Sequence, residues 1–184
     1  MNSISFNRRT LTGRQFRPER RSAGTALAEL PVVLLLLFVF LLLPLLIFVS
    51  LGYRGSFLYF AADAANKRAA KAPTYTEATI RAASALTTNL NGFTGISTTS
   101  PVIAVLEKPL SGGAPVIHTS KLAPGSVDTS KNIYFVMSRV EADLAPLVQF
   151  NGGFMGMNIP GLTGPFHLSV NTESYAENPS GLTE

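Results

Sequence analysis

Few side chains in this sequence could do chemistry. Cysteine is absent, which excludes disulfides, thiolate metal sites and cysteine nucleophiles. His118 and His167 are the only histidines, and a transition-metal site would need carboxylates that no spacing assigns, so no metal ligand is named. No G-x-S-x-G elbow presents a serine, and the pairs Gly112-Gly113 and Gly152-Gly153 lack the lysine and helix of a phosphate loop. No catalytic residue is assigned, no cofactor is expected, and the chain does not read as an enzyme. What remains is one spacing: Gly24, Thr25 and, at the fifth residue after the glycine, Glu29. A flexible glycine lets backbone enter a protease cleft that a bulky side chain would block, so Gly24-Thr25 is a candidate processing site. An acid beside an apolar run invites a cationic partner, because a carboxylate at the centre of a membrane helix costs about 2.5 to 3.5 kcal/mol on insertion scales. The plainer role for Glu29 is an acid in a helix's first turn, which the dipole stabilises by about 0.3 to 1 kcal/mol.

The element that must position these residues follows them directly. No charge appears between Glu29 and Arg54, and residues 30–49 are apolar apart from Pro31 and Pro44. At ~1.5 Å per residue, ~20 such residues cross the ~30 Å hydrocarbon core, which predicts one transmembrane helix over residues 25–53. The run is too long for a cleavable secretory signal, whose apolar core is ~7 to 15 residues. The small-x-small pattern Ala70-Lys71-Ala72 also comes too late for one. Residues 7–11, NRRTL, resemble a twin-arginine address only loosely. Pro31 suits a helix's first turn, whereas Pro44 lies inside the span and should bend or loosen it.

The pI near 9.6 does not describe a basic domain seeking nucleic acid. Six of the 15 Lys and Arg lie in residues 1–24 (Arg8, Arg9, Arg14, Arg17, Arg20, Arg21) beside one acid, Glu19, and the rest of the chain has nine bases against ten acids. Arginines this close to a span tend to stay in the cytoplasm, which predicts an extracytoplasmic C-terminal domain. Residues 1–23 show no helical or strand period and read as a disordered basic leader.

The stretch GTALAELPVV after a basic approach, the aromatic exit Tyr53, Phe57, Tyr59 and Phe60, and the Ala-rich FAADAANKRAAKA together resemble the TadE-like family of Flp (type IVb, tight adherence) pilus pseudopilins, with their type IV prepilin N-terminus. The resemblance covers residues 20–72 and is loose beyond them; Leu30 departs from the aromatic residue that many pilins place after the glutamate. It implies that a prepilin peptidase cuts between Gly24 and Thr25, which would change the net charge from +4 to −1. It further implies that Glu29 aligns the subunit with the amino terminus of a neighbour, and that the partners are membrane lipid, the peptidase, other pilins or pseudopilins and the Tad assembly platform. A von Willebrand-type relative would carry Asp-x-Ser-x-Ser, which Asp128-Thr129-Ser130-Lys131 does not complete.

The remaining chain reads as a small α+β domain: a membrane-proximal helical region over residues 54–92 and a β-rich region over 93–184 with an antiparallel sheet. Ala61, Ala65, Ala69 and Ala72 form a ridge for close packing, onto this domain or onto other subunits, and Pro73 ends the helix. Thr74 and Glu77 form a capping box for a second helix with Ile80, Ala83, Leu86 and Leu90 as its apolar face, ending at Asn91-Gly92. Residues 93–100 read as loop, 101–106 as a strand, 109–131 as an excursion with a short strand near 116–119, and 132–140 and 166–175 as the main strands. The glycine-rich residues 151–164 read as a flexible loop whose Phe154, Met155, Met157 and Ile159 could form a contact or membrane-proximal patch. The leading expectation is an inner-membrane pseudopilin that takes part in pilus assembly. The alternative is an uncleaved anchored envelope domain that binds a protein or ligand. An enzyme would need a tight polar cluster that the sequence does not reveal.

Overall fold

A computed structural model of the protein describes residues 23–150 and 156–184. Residues 1–22 of the basic leader lie outside them, as do residues 151–155 of the glycine-rich loop, among them Phe154 and Met155, whereas Ala23, expected to be disordered, is helical. The chain is α+β: one long apolar N-terminal helix, then a second helix and an antiparallel sheet.

The long helix comprises α1 (Ala23–Leu37), a five-residue π segment (Phe38–Leu42) and α2 (Leu43–Ala70). Over Glu29–Ala70 alone it has 42 residues, roughly 60 Å of helix. Because α1 starts at Ala23, Pro31 is inside the helix and not in its first turn. Ala23, Ala26, Leu27 and Ala28 are strong helix formers that carry the helix upstream, and Pro31 removes only one backbone donor from it. Pro44 loosens the helix without breaking it. In a regular α-helix its ring would collide with the Phe40 carbonyl; instead the preceding turn widens, and the Leu43 N–H donates to the Phe38 carbonyl five residues back.

The α3 helix (Tyr75–Leu90) folds back on α2. The Thr74 hydroxyl accepts from the Glu77 N–H at 3.1 Å, as the capping box predicts. Thr74→Ala should remove about 1 kcal/mol of stability, measurable as a lower midpoint in urea with unchanged m-value. Asn91 and Gly92, with φ +86°, end the helix as expected. Its buried face is the predicted one only in part: Leu86 is buried and Leu90 packs against the core, but Ala78, Ala82 and Ala85 fill the rest of it, while Ile80 is 59% exposed in a crevice with Arg68, Lys71 and Arg81. Close approach to the alanines of α2 selects small residues, and so rotates the larger Ile80 outward.

The sheet is built on β4 (Asn132–Leu144). One edge of β4 pairs with β5 (Phe166–Tyr175). The other pairs first with β2 (Val102–Pro109) and then with β1 (Ile96–Thr98), and β3 (Val116–His118) flanks β2. All pairs are antiparallel. β1 corrects the loop expected over residues 93–100: its Ile-Ser-Thr carries no readable period, and it is a strand because the far end of β4, unused by β2, offers open backbone groups. β4 runs four residues past the expected end for the same reason. One sheet face carries Tyr134, Val136, Val140, Ala142, Leu144 and Val170 against the helices. The opposite face is wet, with Lys108 paired to Glu173 at 3.1 Å and Arg139 to Glu141 at 2.8 Å.

The alanine ridge is used within the chain. Ala61, Ala65, Ala69 and Ala72 are all 5% exposed or less, in clusters shared with α3 and the sheet. Asp63, Lys67, Arg68 and Lys71 lie off that ridge, with Lys67 bonded to Asp63 at 2.7 Å.

Candidate membrane anchor and processing site

Gly24 and Thr25 stand in the first turn of α1, and Glu29 is one turn beyond Thr25 on the same helix face. A scissile bond here needs a locally unwound chain, and the first helical turn unwinds most easily because its N–H groups lack intrahelical acceptors. Glu29 is exposed at the foot of the apolar stretch. Above it, Leu30, Val32 to Phe38 and Phe40 to Leu42 are each 41 to 63% exposed, which leaves this part of the helix bare on all sides. By length and composition this is the one described helix able to cross a membrane.

The bare stretch ends earlier than the apolar sequence does. Ile47 is 1% and Leu51 7% exposed, and with Leu43 they share a cluster with Phe150, Ile159 and Leu162 from the loop joining β4 to β5. Leu51 lies so close to Gly161, which has φ +83°, that a Cβ there would stand 2.6 Å from its Cδ1. An apolar groove of about 230 Å³ opens beside this contact, lined by Phe48, Gly52, Gly55, Pro160, Phe166 and Leu168 among others.

Arg54, the first charge after the run, reads in the sequence as part of an interfacial belt with Tyr53, Phe57, Tyr59 and Phe60. Its guanidinium donates to the Ala145 carbonyl and covers Gly95, whose φ of +82° and proximity to Arg54 leave no room for a side chain. It fastens the ends of β1 and β4 to the helix. Of the aromatic exit, Tyr53, Tyr59 and Phe60 are more than half exposed, whereas Phe57 stacks on Phe93 with centroids 3.5 Å apart and belongs to the domain.

Among the described residues the domain also holds a tight polar cluster. Glu107 accepts from the Asn132 amide at 2.6 Å and from the Tyr134 hydroxyl at 3.4 Å, and its other oxygen lies 3.0 Å from His118 Nε2. These groups tie β2, β3 and β4 together, and the Tyr134 oxygen also accepts from the Asp128 N–H. His167 lies 3.0 Å from Asp143 on the wet face. Asp128 is bonded by Ser130 and Lys131, which hold its carboxyl down to about 2, the Ser130 hydroxyl contributing most. No family model, curated protein or solved structure matches this chain.

Proposed function

We propose that this protein is a single-pass anchor-and-assembly subunit of TadE-like type, a pseudopilin of Flp (type IVb) pili. Its N-terminus would face the cytoplasm of a bacterium, its helix would cross the inner membrane, and its α+β domain would stand outside. A prepilin peptidase would cut between Gly24 and Thr25. The new amino group would then lie one turn from Glu29 on the same helix, and Glu29 would pair with the amino terminus of a neighbouring pilin or pseudopilin. The supporting observation is that one continuous helix is bare and apolar in its first half and is the spine of the sheet domain in its second. Such a helix can be held by lipid at one end while it carries its domain rigidly at the other. The arginine-rich leader supports the orientation.

Co-expression with a Tad-type prepilin peptidase tests the reading. The membrane-extracted product should start at Thr25 by intact mass and N-terminal sequencing, and Gly24→Val should leave the precursor uncut. An intact N-terminus beside an active peptidase would favour the uncleaved anchored domain.

A further inference from the structure

We propose that copies of this chain associate head-to-tail, the crevice between α2 and α3 of one copy receiving Tyr175 and Glu173 from the wet sheet face of the next. The proposal rests on the reading of the long helix as a membrane span, and it names the neighbour in the proposed assembly.

Three observations converge on it. The first is charge. The helical region, residues 54–92, has five Lys and Arg against two acids, whereas residues 93–184 have four against seven. The domain is balanced overall but basic in its helices and acidic in its β region, so a second copy is a complementary partner. The crevice concentrates the basic excess. Arg68, Lys71 and Arg81 stand around Ile80 and Ser84 in a cavity of about 490 Å³. Glu77 is paired with Arg81 at 2.9 Å and Glu177 lies 3.6 Å from Lys71, while Arg68 meets no acid among the described residues.

The second is the chemistry of the two surfaces. Asn66 faces the sheet, so Arg68, two residues on, stands on the far side of α2, and the crevice opens away from the sheet. On the opposite side of the domain Tyr175 is 58% exposed at the end of β5, edge-on to Phe135 with centroids 6.1 Å apart. Glu173 stands two residues before it on the same face, beside Lys108, which lies 4.2 Å from the Phe135 ring centroid. A tyrosine ring with a carboxylate at its side fits a crevice of this composition. The ring covers Ile80, which is 59% exposed, and the guanidinium of Arg68 meets the ring face or the carboxylate.

The third is height. The Asn66 amide donates to the Ser174 hydroxyl at 3.1 Å, and Glu177 N–H donates to Ala70 O at 2.9 Å. These bonds set Arg68 and Lys71 level with residues 174–177, so the crevice and Tyr175 stand at one height along α2. Copies upright in one membrane share that height and meet by sideways displacement alone. Crevice against crevice would oppose like charges. A head-to-tail contact instead leaves a crevice free at one end and a sheet face at the other, so it runs on from copy to copy.

The absence of cysteine makes the test direct. Ser84→Cys marks the crevice and Met137→Cys, opposite Glu173 on the wet face, marks the sheet. Full chains carrying either change are reconstituted, alone or mixed, in phosphatidylcholine–phosphatidylglycerol vesicles and treated with a short bismaleimide. The mixture should give crosslinked dimers and each variant alone almost none, while the doubly substituted chain should give a ladder of higher species. Arg68→Glu on the crevice chain should cut the mixed yield several-fold, and Glu173→Arg on the sheet chain should restore it. Dimers formed equally by either variant alone, or a yield indifferent to Arg68→Glu, would overturn the contact. Chains that resist extraction by alkaline carbonate yet do not crosslink would overturn the association and leave the span standing. If carbonate releases the chains, the spanning helix fails and the proposal with it.

Discussion

Asn66→Asp should destabilise the folded domain by about 3 to 5 kcal/mol at neutral pH, a loss that shrinks as the solution is acidified. Asn66 is fully buried where α2 meets the sheet, and its amide donates to the Ser174 hydroxyl at 3.1 Å. Its Oδ1 has no hydrogen-bond partner among the described residues, nor do the buried hydroxyls of Ser138 and Thr172, which stand opposite each other on β4 and β5. A carboxylate in place of the amide would meet no cation among the described residues, since the amide oxygen it replaces has no partner there. The folded-state pKa would therefore rise above the unfolded value of ~3.9. Between those two values the folded chain keeps a proton that the unfolded chain has released, so stability falls by up to ~1.4 kcal/mol for each unit of rising pH. Below the unfolded pKa the penalty of ionisation is absent. Asn66→Ala, which loses one donor but brings no charge, should cost about 1 to 2 kcal/mol with no such slope. Urea unfolding in detergent at several pH values, followed through the tyrosines of a chain that lacks tryptophan, separates the two. Parallel slopes for both variants would show that residue 66 is not sealed from water.

Gly181→Ala is expected to cost about 3 kcal/mol, near the upper end for overpacking and on the order of a hundredfold in the folding equilibrium. Gly181 lies in the C-terminal 3₁₀ turn (Pro179–Thr183), which covers the end of α2. Glu177 N–H donates to Ala70 O at 2.9 Å, the Asn178 amide to Pro73 O at 2.8 Å, and Leu122 N–H to Leu182 O at 2.9 Å. A Cβ on Gly181 would stand 1.6 Å from the Pro73 carbonyl oxygen. Backbone cannot move aside as a flexible side chain does, so either the turn detaches or Pro73 shifts and loosens the α2–α3 corner. Gly52→Ala is the matching control. No atom lies within 4 Å of a Cβ there, and alanine is the better helix former, so its unfolding midpoint should hold or rise. Equal midpoints for Gly181→Ala and the parent chain would mean that the C-terminal turn contributes nothing to the domain.

Where sequence reading succeeded, the signal was local. The run from residue 30 to 49 needs only its own composition to declare a helix of spanning length. The Thr74 cap and the Asn91-Gly92 stop act within one helical turn. The alternation of Phe166, Leu168 and Val170 with His167, Ser169 and Asn171 in β5 likewise marks one face for burial, and Val170 is buried there, although Phe166, at the strand's end, remains 40% exposed. Failures came where a residue's place depends on a distant partner. Ile80 is turned out because alanines on α2 demand small neighbours, and residues 96–98 pair because β4 has a free edge. Ala61 and its kin, suited by spacing to either a subunit contact or an internal one, are buried by α3 and the sheet.

Gly24, Thr25 and Glu29 were legible as a spacing, and the helix that begins at Ala23 places them on its first turns. Tertiary structure decided the rest of the anchor. The sequence determined an uncharged run over residues 30–53, which is a property of composition alone. Where the bare part of that helix stops was decided by tertiary structure: Ile47 and Leu51 share a cluster with Ile159 and Leu162, and Arg54 is held by the Ala145 carbonyl, partners far along the chain whose places follow from the pairing of β4 with β5.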